Sequence, residues 1–124
     1  MKTLVYLLVG SNVDRERCYP QAVGKLASLG EVKAVSPVYE TVPVRMGKAP
    51  DFFNGALLMA TDQDPETFKH RLITEVEEPL GRHRTATGPY RPRTIDVDIA
   101  LWGGLVGKIT GRPVPDPDIL TCIH

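Results

Sequence analysis

The sequence predicts an α+β fold of four strands and two helices in the order βαββαβ. Three observations predict it: two stretches with apolar residues at helical spacing, three short apolar or β-branched runs bounded by glycine and proline, and one stretch near the C-terminal end that alternates apolar and polar residues.

Thr3 to Val9 (TLVYLLV) is a near-continuous apolar run closed by Gly10, too short for a helix, and reads as a buried, central strand. From Pro20 onward, Ala22, Val23, Leu26, Ala27 and Leu29 recur at helical spacing, with Pro20 suited to the first turn and Gly30 to the position just past the end. Val32 to Glu40 and Phe52 to Thr61 read as the second and third strands, joined by a loop from Val42 to Asp51 that is too long to be only a turn. Asp64-Pro65-Glu66 starts the second helix: Asp caps, Pro takes the first helical position and Glu complements the positive end of the dipole. Phe68, Leu72, Ile73 and Val76 give that helix one apolar stripe to about Glu78, and Pro79 with Gly81 ends it. In Thr94 to Trp102 (TIDVDIALW), Ile95, Val97, Ile99 and Leu101 alternate with Asp96, Asp98, Ala100 and Trp102, the period of the fourth strand. A short hairpin is expected after Gly103-Gly104. This order is the ferredoxin-like arrangement, which packs two helices on one face of a four-stranded antiparallel sheet and leaves the other face free.

The 124 residues, 42% hydrophobic and 24% charged, suit a single domain over 1–124 whose one core needs no disulfide or structural metal. Fifteen basic residues balance fifteen acidic ones, which removes the global positive field that binds nucleic acid or anionic membranes. There is no apolar run long enough to cross a membrane, and Met1 to Val9 reads as a strand rather than a signal peptide. Cys18 and Cys122 make neither a metal knuckle nor a disulfide framework, so a reducing cytoplasm is the simplest compartment. No obligate protein partner is evident.

Asp96 and Asp98 are two apart on a strand, so their carboxylates leave one sheet face with Cα atoms about 6.5 to 7 Å apart. Such a pair can share a hard cation, which keeps both ionised and also binds phosphate oxygens. The loop just upstream carries Arg82, Arg84, Arg91 and Arg93 with His83, and no acid lies between Glu78 and Asp96. Guanidinium forks match phosphate oxygens, so the two groups together suit a polyphosphate with bound Mg²⁺. The glycine-rich phosphate loops are absent: Gly24-Lys25 is followed by Leu26, and there is no G-x-G-x-x-G. Phe52 and Asn54 share a strand face, where a ring can stack on one and pair its edge with the other.

These residues resemble a known family, the 6-hydroxymethyl-7,8-dihydropterin pyrophosphokinases of folate biosynthesis. The resemblance rests on Tyr6 to Asn12 (YLLVGSN), Ser36 to Thr41 (SPVYET) with Pro43, Pro50 to Asn54 (PDFFN), Gly81-Arg82-His83-Arg84 and above all Pro92 to Ile99 (PRTIDVDI), and covers nearly the whole chain. It implies transfer of the intact β,γ-pyrophosphoryl group from ATP, the co-substrate, to the hydroxymethyl oxygen of 6-hydroxymethyl-7,8-dihydropterin, leaving AMP, with two Mg²⁺ as cofactors. It implies Asp96 and Asp98 as metal ligands and Arg82 and Arg93 as the arginines that clamp the transferring phosphates. Glu77, Arg84 and Tyr90 would belong to the nucleotide site, with Ile99 as an adenine-side backbone contact. For the pterin, Thr41, Val42 and Val44 match the loop that reads its edge, Phe52 an aromatic that stacks on it and Asn54 the amide that bonds it. The loops Val42 to Pro50 and Arg82 to Pro92 are expected to be the most mobile segments and to close over the substrates.

The chain departs from the family in three places. Tyr90-Arg91 stands where Trp-Gly is usual, Asp116 follows Val114-Pro115 where a histidine is usual, and the chain reads as short at its C-terminus, without the second aromatic of the pterin sandwich. Asp116 and the short end motivate an alternative, a catalytically weakened member that binds pterin or nucleotide without efficient transfer. A third reading, a ferredoxin-like nucleic-acid or regulatory module, lacks the aromatic RNA-binding strand pattern and has no use for Asp96 and Asp98.

Overall fold

The computed structural model describes residues 2–41, 52–81, 95–105, 107–109 and 112–115. Its elements are β1 (Thr3–Ser11), α1 (Arg15–Leu26), β2 (Glu31–Val35), β3 (Tyr39–Thr41), β4 (Phe52–Thr61), α2 (Pro65–Arg71), β5 (Asp96–Trp102), β6 (Gly107–Ile109) and β7 (Arg112–Val114). Between α2 and β5 the second helix continues through a π-helical stretch (Leu72–Glu77) and a 3₁₀ turn (Glu78–Leu80).

The main sheet is antiparallel in the order β2-β4-β1-β5, with β3 also paired to β4. β1 is central, as its apolar run predicts. Among the described residues the architecture is α+β with an antiparallel sheet and two helices, compatible with the expected arrangement, but the sheet has five strands rather than four. The fifth arises because the predicted strand Val32 to Glu40 breaks at Pro37, which has no N–H for the ladder. Ser36 closes β2 against Ala56: its amide donates to the Ala56 carbonyl (2.9 Å) and its hydroxyl accepts from the Ala56 amide (2.8 Å). Pairing with β4 resumes at Tyr39, opposite Asn54. The hairpin expected near the C-terminal end is β6-β7.

Val5, Leu7 and Val9 of β1, Leu57 and Met59 of β4 and Val97 and Ile99 of β5 share one sheet face. They form one cluster with Cys18, Tyr19, Ala22 and Leu26 of α1 and with Phe68, Leu72, Val76 and Leu80 of the second helix. Each such large side chain stabilises the fold by roughly 1.5–3 kcal/mol through apolar area removed from water. Among the described residues no helix is long and apolar enough to cross a membrane.

Three local expectations are corrected. α1 begins at Arg15, so Pro20 lies inside the helix rather than in its first turn. The cost of the missing N–H is offset by the turn before it, which buries Cys18 and Tyr19. Gly30 does not follow the helix end, which is at Leu26; it lies against β4, where an added Cβ would come within 2.7 Å of the Ala60 carbonyl oxygen. Finally, the alternation of β5 changes phase at a bulge, because β1 pairs Leu7 with Ile99 but Tyr6 with Leu101. Ala100 is the extra residue, so Trp102 rather than Leu101 enters the core, edge-on to Phe68 at 5.3 Å between ring centres.

Candidate functional site

The register of the ladders assembles the site on the sheet face away from the helices. Gly10 of β1 pairs with Asn54 on one side and Asp96 on the other, and Asn54 pairs in turn with Tyr39. Tyr39, Asn54, Gly10 and Asp96 therefore form one row across four strands. Asn54 and Asp96 lie two strands apart, about 10 Å. Gly10 puts no side chain between them. One step along, Asp98 pairs with Leu8. Asp96 and Asp98 are both half-buried and share their face, while Ile95, Val97 and Ile99 between and around them go to the core. Thr41 pairs with Phe52, each two positions along its strand from Tyr39 and Asn54.

The helix side of the sheet sets how β4 presents these positions. Phe53 meets Tyr19 edge-on at 6.3 Å, and the Arg15 guanidinium lies over its ring, 4.1 Å from the centre. Arg15 also pairs with Glu40 of β3 at 3.6 Å, tying β3 and β4 together at the end that carries Phe52 and Asn54. Gly55 is dictated by the same packing, because an added Cβ would run into the Tyr19 hydroxyl. Burial pushes the pKa of that hydroxyl up.

On the other side of the row, the carboxylates can hold a hard divalent cation. The described residues contain no group of three His, Cys, Asp or Glu that could do so alone. Two carboxylates with the remaining positions left to water and phosphate oxygens is the usual protein share of a Mg²⁺ site, so these residues fit that ion. Glu77 lies on the opposite side of β5 from these carboxylates' face: it is fully buried, and its Oε2 accepts a hydrogen bond from the Val97 amide at 3.0 Å. The Ile99 side chain is in the core, which leaves only its main chain for a ligand.

The structure thus brings Asn54, Asp96 and Asp98 to one face and pairs Thr41 with Phe52 at its end. Val42, Val44, Arg82, Arg84, Tyr90, Arg93 and Asp116 lie outside the described residues, as do both loops expected to close. Gly10 and Tyr39 were not singled out from the sequence. Their places depend on strand register, and only the glycine-closed end of the β1 run signals the first.

The sequence profile described as 7,8-dihydro-6-hydroxymethylpterin-pyrophosphokinase (HPPK) matches residues 6–122. The 2-amino-4-hydroxy-6-hydroxymethyldihydropteridine pyrophosphokinase of Bacillus subtilis is 36% identical over 105 residues, 82% of this chain and 61% of that protein. The bifunctional protein FolKE of Lactococcus lactis subsp. lactis is 35% identical over 113 residues, 89% of this chain and 32% of that protein. The folic acid synthesis protein FOL1 of Dictyostelium discoideum is 30% identical over 115 residues, 92% of this chain and 17% of that protein. The chain thus spans between 17% and 61% of the length of these relatives. With the profile matched over almost its whole length, the chain belongs to the 7,8-dihydro-6-hydroxymethylpterin-pyrophosphokinase family.

Proposed function

We propose that this protein transfers the β,γ-pyrophosphoryl group of ATP to 6-hydroxymethyl-7,8-dihydropterin in a Mg²⁺-dependent reaction, giving the pterin diphosphate and AMP in folate biosynthesis. The observation that carries this reading is the row Asn54–Gly10–Asp96, which with Asp98 sets an amide and a carboxylate pair on one sheet face. Family membership supports it, and so does the likeness to relatives named as a pyrophosphokinase and as folic acid synthesis proteins. We read the fold as ferredoxin-like, a reading that the order β2-β4-β1-β5 supports. We also read the chain as one cytoplasmic domain that works on small molecules without a protein partner.

Asn54 bonds the pterin edge, Phe52 stacks on the ring, and Thr41, Val42 and Val44 line the edge. Arg82 and Arg93 clamp the phosphates, with Arg84, Tyr90 and the Ile99 main chain on the nucleotide side; Glu77, which the family resemblance also assigns there, is buried behind β5. Two Mg²⁺ held at Asp96 and Asp98 would neutralise phosphate charge and polarise the phosphorus. The pterin hydroxymethyl oxygen attacks the β-phosphorus in line. The bond from that phosphorus to the α,β-bridging oxygen breaks, AMP leaves with the oxygen, and the hydroxyl proton goes to solvent. Positioning and charge neutralisation supply the catalysis.

The test is incubation with ATP, Mg²⁺ and the pterin, following AMP by chromatography. AMP that needs both pterin and metal is the expected result. Pterin binding without AMP would favour the weakened member, and no binding would remove the function.

A further inference from the structure

Among the described residues β5 is an outer strand of the sheet, with β1 on one side and no strand on the other. Val97 lies between Asp96 and Asp98, and its main-chain groups point to that unpaired side. There two side chains of the second helix take the place of a strand. Glu77 Oε2 accepts from the Val97 amide at 3.0 Å, and Lys69 Nζ donates to the Val97 carbonyl at 3.3 Å. An unpaired strand edge is ordinarily blunted by exposed charge. Here the carboxylate is instead fully buried, a costly place for it that hydrogen bonding offsets.

The helix is reshaped to put it there. In an α-helix Leu72 and Glu77 would lie about 140° apart around the axis, with Glu77 turned off the core side. The segment Leu72–Glu77 is instead π-helical, closed by the Glu78 amide on the Ile73 carbonyl, five residues back. That wider turn carries Leu72, Val76 and Glu77 onto the buried side together.

We propose that Glu77 is a positioning residue: through the Val97 main chain it fixes the β5 backbone so that Asp96 and Asp98 present their carboxylates together, rather than touching the nucleotide itself. The role of the two aspartates rests on the proposed function. Groups behind metal ligands typically change metal affinity by about 10–100-fold when removed.

The experiment compares wild type, Glu77→Ala, Glu77→Gln and Lys69→Met. Three quantities are read: hydrogen exchange of the Val97 amide in metal-free protein, the Mg²⁺ needed for binding of a non-hydrolysable ATP analogue, and binding of that analogue without metal. Glu77→Ala is expected to speed Val97 exchange and raise the Mg²⁺ requirement about 10-fold or more, leaving metal-free binding unchanged. Glu77→Gln, which keeps an acceptor oxygen, should restore most of both. If Glu77→Ala does not fold, Lys69→Met, which cuts the other tie, should raise the Mg²⁺ requirement in the same direction by less. A lowered melting temperature with unchanged Mg²⁺ requirement overturns the inference, as does weaker metal-free analogue binding, which would make Glu77 a nucleotide contact. Wild type that binds no metal–nucleotide overturns the proposed function, and this inference with it. Wild type that forms AMP while the variants match it overturns the inference alone.

Discussion

The two sides of the site are held by different means. Asn54 sits in the β1–β4 ladder, where every residue from Thr3 to Ser11 is paired in unbroken register. Asp96 and Asp98 sit on β5, whose register with β1 slips at Ala100 and whose outer edge is held by Lys69 and Glu77. A position inside a continuous ladder is fixed by main-chain geometry and tolerates change in distant side chains. A position on an outer strand depends on the particular side chains that cap it. On the proposed function, the side that takes the pterin should therefore answer to packing beneath β4, and the side that takes the phosphates to charge and hydrogen bonding around β5.

The largest expected effect is on the phosphate side. Asp96→Ala should lower AMP formation by about 10²–10³-fold or more, the cost of losing a group that stabilises charge in the transition state. Its thermal unfolding should stay close to wild type, because Asp96 is half-buried and outside the core. Parallel loss of activity and folding would break the comparison. Next is the ladder side. Gly55→Ala places a methyl group against the Tyr19 hydroxyl and should destabilise the protein by about 1–3 kcal/mol in urea unfolding. Because the strain falls on β4, the pterin KM should rise more than the ATP KM. An equal rise in both would show that the two sides move together.

The smallest effect lies at the helix start, away from both sides. The Thr67 hydroxyl and amide bond the Asp64 carboxylate and hold its pKa below the ordinary carboxyl value. A depressed folded pKa contributes stability above the unfolded value, near about 3.9, and that contribution is lost as the pH falls through the folded one. Asp64→Ala should accordingly melt lower than wild type at neutral pH, with the gap closing as the pH drops below about 4. A gap that persists in acid would mean that the carboxylate charge is not what matters at this cap.

Much of this was readable from local chemistry. β4 runs from Phe52 to Thr61 as its composition predicts, and α2 starts at Pro65 with Asp64 capping Thr67, because caps and turns are decided by neighbours in sequence. The shared face of Asp96 and Asp98 follows from a period of two and survives because the bulge falls after both. What was not readable depends on distant partners. Pro20 is tolerated inside α1 because Cys18 and Tyr19 gain burial, and the bulge at Ala100 lets Trp102 reach Phe68. The π-helical turn is of the same kind: nothing in LITEVE announces it, and Glu77 reaches Val97 only across the packed helix and strand.

The central claim is that one sheet face joins a pterin side at Asn54 to a phosphate side at Asp96 and Asp98. Calorimetric titration of Asn54→Ala and Asp98→Ala with the pterin and with a Mg²⁺-loaded, non-hydrolysable ATP analogue tests it most directly. The account predicts a separation: Asn54→Ala weakens pterin binding and keeps the nucleotide, and Asp98→Ala weakens the metal–nucleotide and keeps the pterin. Loss of nucleotide binding in Asn54→Ala, or unchanged metal–nucleotide binding in Asp98→Ala, would contradict it.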